Sequence, residues 1–168
     1  MVLTKIIEED GFPDSIFIYI PDFLTPRIQQ ELLAWSQRQP ELQIDNINDS
    51  NNKQTISRLQ KWYQQEGKYF CPKWKKRFKK WTANDISPEI NHLQLLVNDY
   101  IKTIDFEKFG INRPNFNSCL VNKYRDGNDY IKSHRDTHLS FGEEPCIVGI
   151  SLGCSRDLEF KRIFEHTE

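Results

Sequence analysis

No run of apolar residues along these 168 positions is long enough to cross a bilayer as a helix. The opening residues, MVLTKIIEEDG, carry neither the basic flank nor the apolar block of a signal peptide. Only four cysteines occur, Cys71, Cys119, Cys146 and Cys154, with no CxxC spacing and no dense framework. That argues against a disulfide scaffold and a structural zinc site, and for free thiols in a reducing, intracellular compartment, the cytoplasm or nucleus. Internal repeats and low-complexity blocks are missing too. Neither sign of charge dominates, since the net charge is −1. The mean hides one local excess: Lys73 to Lys80 reads KWKKRFKK, while acidic residues open and close the chain.

What remains is 38% hydrophobic and 28% charged residues, ordinary proportions for a soluble protein. A chain of this length buries a real core, and residues 1–168 are read as a single domain. Ile16 to Ile20 (IFIYI), stopped by Pro21, reads as a short strand. Thr25-Pro26 places a hydroxyl at an N-cap and a proline at the first helical position. Ile28, Leu32 and Trp35 then form one stripe, and Pro40 closes the helix. The following IDNINDSNNKQ has no period and reads as an exposed loop.

Arg58 to Phe70 mixes aromatics with polar residues around Gly67. It suits a substrate-facing loop or a short strand pair, with a half-buried surface hairpin the plainer reading. Lys73 to Trp81 reads as a short amphipathic helix with Trp74, Phe78 and Trp81 on one stripe. Interleaved cations and aromatics suit phosphate contacts and base stacking. A docked surface helix with solvated lysines is the blander alternative. Ser87-Pro88 starts a second long helix, with Glu89 matching the helix dipole and Ile90, Leu93, Val97 and Tyr100 or Ile101 facing a core.

From Phe116 the texture turns to β. Asp126-Gly127-Asn128 predicts a hairpin turn between two strands. Cys146 to Leu152 reads as a central strand and Leu158 to Phe164 as a looser one. Helices first and antiparallel strands later predict an α+β domain, with helices supporting one face of a sheet sandwich.

Two residue pairs stand out in this β region. Asn122 and Tyr124 are two apart, as are His134 and Asp136 beyond the turn. Residues i and i+2 of a strand share a face. An imidazole and a carboxylate aimed together make two thirds of the facial triad that holds non-haem Fe(II). An isolated HxD is more often a surface ion pair. The conjunction of NxY, a DG turn, HxD, an apolar strand ending Ser151-Leu152-Gly153, and Arg156-Asp157-Leu158-Glu159-Phe160 is far rarer.

That conjunction resembles the AlkB-like Fe(II)/2-oxoglutarate-dependent dioxygenases. The match is strongest over 116–162 and looser upstream through Arg58-Leu59-Gln60, Tyr63, Gly67, Tyr69 and the Ser87-Pro88 helix. The resemblance implies a jelly roll (an antiparallel double-stranded β-helix) carried on N-terminal helices. It implies oxidative dealkylation of nucleic-acid bases, in DNA or RNA, with Fe(II), 2-oxoglutarate and molecular oxygen. By the same resemblance His134 and Asp136 would ligate iron, and Asn122 and Tyr124 would hydrogen-bond 2-oxoglutarate. An amide and a phenol supply such donors without adding charge. Residues 58–81 would face nucleic acid, with Tyr69, Phe70 and Cys71 on the base-contacting loop and an aromatic there stacking on a flipped base. Arg58 would contact phosphate or the cavity floor. Thr137 would read the base, although it and His138 stand where related members often carry acidic residues.

The family's third iron ligand is a histidine several dozen residues beyond HxD, followed by two arginines. Downstream of HxD this sequence offers only His138, two residues past Asp136, and His166, too early for the family position. His92, in a helix before the sheet, is a poor candidate. The expectation is therefore a jelly roll incomplete at its C-terminus, from a split or shortened reading frame. Such a chain would bind Fe(II) weakly and turn over 2-oxoglutarate poorly or not at all unless another polypeptide completes it. Two other readings stand beside this one: a non-catalytic nucleic-acid-binding remnant, and a dioxygenase acting on a protein side chain.

Overall fold

The structure, a computed structural model, describes residues 3–9, 12–39, 46–49, 52–55, 57–66, 83–134, 136, 141 and 145–161. Its elements in chain order are β1 (Leu3–Glu9), β2 (Phe12–Tyr19), α1 (Pro26–Gln37), β3 (Asn46–Asp49), β4 (Asn52–Thr55), β5 (Leu59–Gln64), α2 (Pro88–Ile101), a 3-10 turn (Glu107–Phe109) and β6 (Ser118–Lys123). Among the described residues the strands form three separate antiparallel ladders, β1 with β2, β3 with β4 and β5 with β6. Helices and antiparallel strands together make the α+β class expected.

Both helices begin as their sequences predict. Thr25 Oγ1 accepts the Ile28 N–H at 3.4 Å, and Ser87 Oγ accepts the Ile90 N–H at 3.3 Å, each with proline at the next position. The stripes then bury: Leu32 and Trp35 from α1, and Ile90, Val97 and Ile101 from α2. Ile28, Leu93 and Tyr100 are only half-buried.

The core lies between the helices and the β5–β6 ladder. Trp35 of α1, Tyr63 of β5 and Ile90 of α2 meet in one cluster, against which Ile86, Cys119 and Val121 pack. The rings of Trp35 and Tyr63 stand 5.7 Å apart, tilted by 52°. A second cluster gathers Val97, Ile101 and Phe106, covered by Phe23, Phe116 and Ile150. Gly110, at φ +70°, ends the 3-10 turn in the left-handed region and donates its N–H to Glu107 O at 2.9 Å.

Several expectations are corrected. The β2 strand runs longer than expected and pairs with β1, whose residues showed no strand signal of their own. The stretch expected to be an exposed loop forms the β3–β4 ladder. Backbone N–H and C=O groups pair regardless of side-chain polarity, so an Asn- and Asp-rich segment can close a ladder without an apolar alternation to announce it. The segment from Arg58 shows no self-paired hairpin among its described residues, 58–66. Its strand β5 pairs with β6, and Tyr63 is 3% exposed. The expected strands at 146–152 and 158–164 do not form ladders among the described residues. Ile150 docks on the second core cluster, whereas Leu158 and Phe160 are 75% and 61% exposed. Apolar content shows that a segment can pair, not that a partner edge is in reach. The proposed helix at 73–81 lies outside the described residues.

Ile90 and Leu95 sit on the same helix in opposite environments, 2% and 53% exposed. Ile90→Ala is expected to cost about 2–5 kcal/mol of unfolding free energy. Leu95→Ala should stay within about 0.5 kcal/mol of the parent. Urea denaturation of the two variants checks this.

Candidate functional site

The site grows from β6. Asn98, on α2, donates Nδ2–H to Phe116 O and accepts the Phe116 N–H on Oδ1, each at 2.9 Å. This two-way clamp fixes where the chain leaves the core and enters β6. On the other side, Asn84 and β5 exchange backbone bonds: Asn84 N–H donates to Trp62 O at 2.8 Å, and Gln64 N–H to Asn84 O at 3.1 Å. The ladder between β5 and β6 then sets Asn122 opposite Gln60 and leaves Tyr124 just beyond the strand end.

Two arginines meet these residues. Arg58 Nε donates to Asn122 Oδ1 at 2.8 Å. Burial holds its guanidinium below the usual arginine range, an effect partly offset by the Tyr124 phenol. Arg156 lies over the Tyr124 ring, 4.7 Å from its centroid. Its Nη1 donates to Asp129 O at 2.8 Å and its Nη2 to Asp126 O, so a residue 27 positions away closes the turn after β6.

That turn is built around a carboxylate. Asp126 Oδ1 accepts the Asn128 N–H at 2.8 Å, and Asp129 N–H donates back to Asp126 O at 3.3 Å. Asp129 itself is 3% exposed. It accepts Arg125 Nε–H and N–H on Oδ2, each at 2.8 Å, and Arg125 Nη2–H on Oδ1 at 2.7 Å. The Arg125 side chain and then its backbone N–H hold the carboxyl down at about 2. This corrects the hairpin expected at Asp126-Gly127. A turn forms, but no strand follows it among the described residues. The Arg125 N–H is taken by a side chain instead of a neighbouring strand. The chain passes to the start of β5, where Tyr130 N–H donates to Ser57 O at 3.1 Å and Ser57 Oγ to Tyr130 O at 3.0 Å.

His134 and Asp136 lie beyond, on irregular backbone, yet their side chains do converge: Nε2 of His134 is 3.6 Å from Oδ1 of Asp136. His134 Nδ1 is 2.8 Å from Lys132 O. A carbonyl oxygen only accepts, so Nδ1 carries the proton. A metal ligand must have Nε2 unprotonated, and its lone pair then faces the carboxylate. Two acceptors facing each other want a cation between them, and 3.6 Å lies within the span of two metal–ligand bonds of ~2.1 Å. The donor set is one nitrogen and one oxygen, which suits iron in part. No group of three His, Cys, Asp or Glu side chains that could hold a metal occurs among the described residues. His138, His166, Tyr69, Phe70, Cys71 and Thr137 lie outside them. His92 borders a small groove between α1 and α2 with Ile28, Leu32 and Glu89.

Sequence reasoning missed Asp129, Arg125 and the role of Arg156. Asp129 had a signal, since Asp and Asn recur through the turn and an arginine precedes it. The Arg156 contact is long-range and had none. Cysteines 119, 146 and 154 are free, as expected, and burial pushes the Cys119 thiol up to about 11.

Across residues 17–168 the chain matches the 2OG-Fe(II) oxygenase superfamily. It belongs to that family. Fe(II), 2-oxoglutarate and dioxygen are the cofactors and co-substrate of this oxygenase superfamily. The chain is 40% identical over 47 residues to the DNA oxidative demethylase ALKBH2 of Arabidopsis thaliana, covering 28% of this chain and 15% of that protein. Against the Homo sapiens protein of the same name it is 36% identical over 52 residues, 31% of this chain and 20% of the relative. The chain thus spans no more than about a fifth of either relative. No solved structure matches it. No helix among the described residues is long and apolar enough to cross a membrane.

The Asp129 carboxyl sits at about 2 against an ordinary 3.8, so its ionised form stabilises the fold. That contribution is complete above pH 3.8 and is lost as pH falls toward 2. Asp129→Asn should therefore melt below the parent at pH 6, with a gap that narrows through this window. Calorimetric melting of both proteins from pH 6 to pH 2 measures it.

Proposed function

We propose that this oxygenase removes alkyl groups oxidatively from bases of alkylated DNA, with His134 and Asp136 holding Fe(II) and Asn122 and Tyr124 binding 2-oxoglutarate. The observation that carries the reading is the His134–Asp136 pair, set 3.6 Å apart with the imidazole proton tied to a backbone carbonyl. DNA as substrate is supported by the DNA oxidative demethylase relatives.

When bound, the iron and the oxo-acid supply the oxidation of an alkyl carbon by dioxygen, so that base–CH3, 2-oxoglutarate and O2 become base–H, formaldehyde, succinate and CO2. The chain's own residues do the positioning. Lys132 O holds the His134 tautomer, which leaves Nε2 free to ligate. Asp136 adds the carboxylate that a hard divalent cation prefers. The Asn122 amide and Tyr124 phenol donate hydrogen bonds to the oxo-acid, and Arg156 restrains the Tyr124 ring from behind. The turn closed by Arg125 and Asp129 lies in the chain between the two pairs. In this reading β5 and β6 are two strands of a jelly roll, residues 1–168 are one domain, and Tyr69, Phe70, Cys71 and Thr137 face the base.

His134→Ala should weaken Mn(II) binding by at least about tenfold, followed by electron paramagnetic resonance, with the melting temperature little changed because the ring is half-exposed. Formaldehyde release from a methylated single-stranded DNA oligonucleotide should disappear with it. Undiminished metal binding in this variant, or in Asp136→Ala, would overturn the assignment. Equal release from a methylated RNA oligonucleotide would remove the restriction to DNA.

A further inference from the structure

Which edge of the Asn122 amide faces a ligand is invisible in the sequence, because the side chain is nearly symmetric in shape and differs only in donor and acceptor. A guanidinium has donors only, so the amide atom it meets must be the carbonyl oxygen. Arg58 Nε meets Asn122 Oδ1 at 2.8 Å. The acceptor edge is thereby occupied, and the two N–H donors are the edge left for a ligand. A carboxylate only accepts, so this is the edge an oxo-acid needs. We infer that Arg58 is a positioning residue of the 2-oxoglutarate site, locking the Asn122 amide with its N–H edge toward the ligand.

Two further observations support the role. Arg58 is held at the root of β5, because its neighbour Ser57 bonds Tyr130 twice, through its backbone carbonyl and its hydroxyl. The guanidinium therefore starts from fixed backbone and reaches across the ladder to a residue 64 positions away. Arg58 is also half-buried, and no carboxylate pairs with it among the described residues. A partly desolvated cation favours an anion beside it. An arginine gripping the phosphate backbone of DNA would instead keep its charge in solvent, where salt could compete for it.

The inference rests on the reading that Asn122 binds 2-oxoglutarate, and the experiment separates the two. Binding of 2-oxoglutarate is measured by isothermal titration calorimetry in the presence of Mn(II), alongside fluorescence-detected binding of a methylated DNA oligonucleotide. Arg58→Met and Asn122→Ala should each weaken oxo-acid binding roughly tenfold, as for loss of a charged hydrogen bond. The double variant should be no weaker than Asn122→Ala alone, since Arg58 acts through that amide. Arg58→Lys, which keeps a donor and the charge, should recover most of the loss, and Arg58→Gln serves where the methionine variant does not fold. Oligonucleotide affinity should be unchanged in Arg58→Met, as it should in the surface control Arg27→Met.

Unchanged oxo-acid binding in Arg58→Met, with Asn122→Ala impaired, overturns the role of Arg58 and leaves the site standing. Additive losses in the double variant do the same, as does a loss confined to the oligonucleotide. Absence of oxo-acid binding by the parent, or unchanged binding in Asn122→Ala, overturns the site reading itself and the inference with it.

Discussion

The ladder between β5 and β6 is the constraint on which the rest depends. It joins segments about sixty residues apart in sequence, which costs loop-closure entropy before any contact repays it. Repayment comes from the aromatic and aliphatic cluster behind it, where Trp35, Tyr63 and Ile90 draw one residue each from α1, β5 and α2. The ladder's register is fixed twice over. Asn98 clamps Phe116 where the chain enters β6, and Asn84 bonds the backbone of β5 at Trp62 and Gln64. A slip of one residue would turn Asn122 to the opposite face and separate it from Arg58.

Beyond the ladder, order is maintained by charge instead of by apolar burial. Tyr130 and Ile131 are 52% and 40% exposed, so the segment leading to His134 has little hydrophobic anchoring. A nearly enclosed carboxylate, Asp129, takes its place. Three bonds from Arg125 satisfy it, and Arg156 caps two carbonyls of the same turn. Removing one partner of such a group leaves a buried charge unpaired, which is costly; supplying all of them makes a short, stiff joint. The joint stands between the residues read as oxo-acid ligands and those read as iron ligands. Arg156 contributes at both ends, since the same guanidinium that closes the turn covers the Tyr124 ring.

Membership of the 2OG-Fe(II) oxygenase superfamily was legible in short-range patterns. NxY, DG, HxD and RDLEF each lie within a few residues, and all fall inside the matched residues 17–168. Helix starts were legible for the same reason, because a cap and a proline act within one turn. The β3–β4 ladder was not, since its residues carry polar side chains and its pairing lives in the backbone. The missing hairpin at Asp126-Gly127 is the converse case. Its turn chemistry was read correctly, but Asp129 competes for the Arg125 N–H that a strand partner would have used.

Residue identity alone set the chemical types at the site: an imidazole, carboxylates, an amide, a phenol and three arginines, each with donors and acceptors that no fold can alter. It also set the i, i+2 spacing that lets His134 and Asp136 approach one another. Folding selected among the arrangements those types permit. It put Arg58 on the acceptor edge of Asn122, Arg156 on the face of Tyr124 and Lys132 O on the Nδ1 of His134. Hydrogen-bond direction and ring stacking fall off within a few ångströms, yet the Arg58–Asn122 bond joins residues 64 positions apart. Such contacts follow from how the backbone is packed, and sequence distance carries almost none of that information.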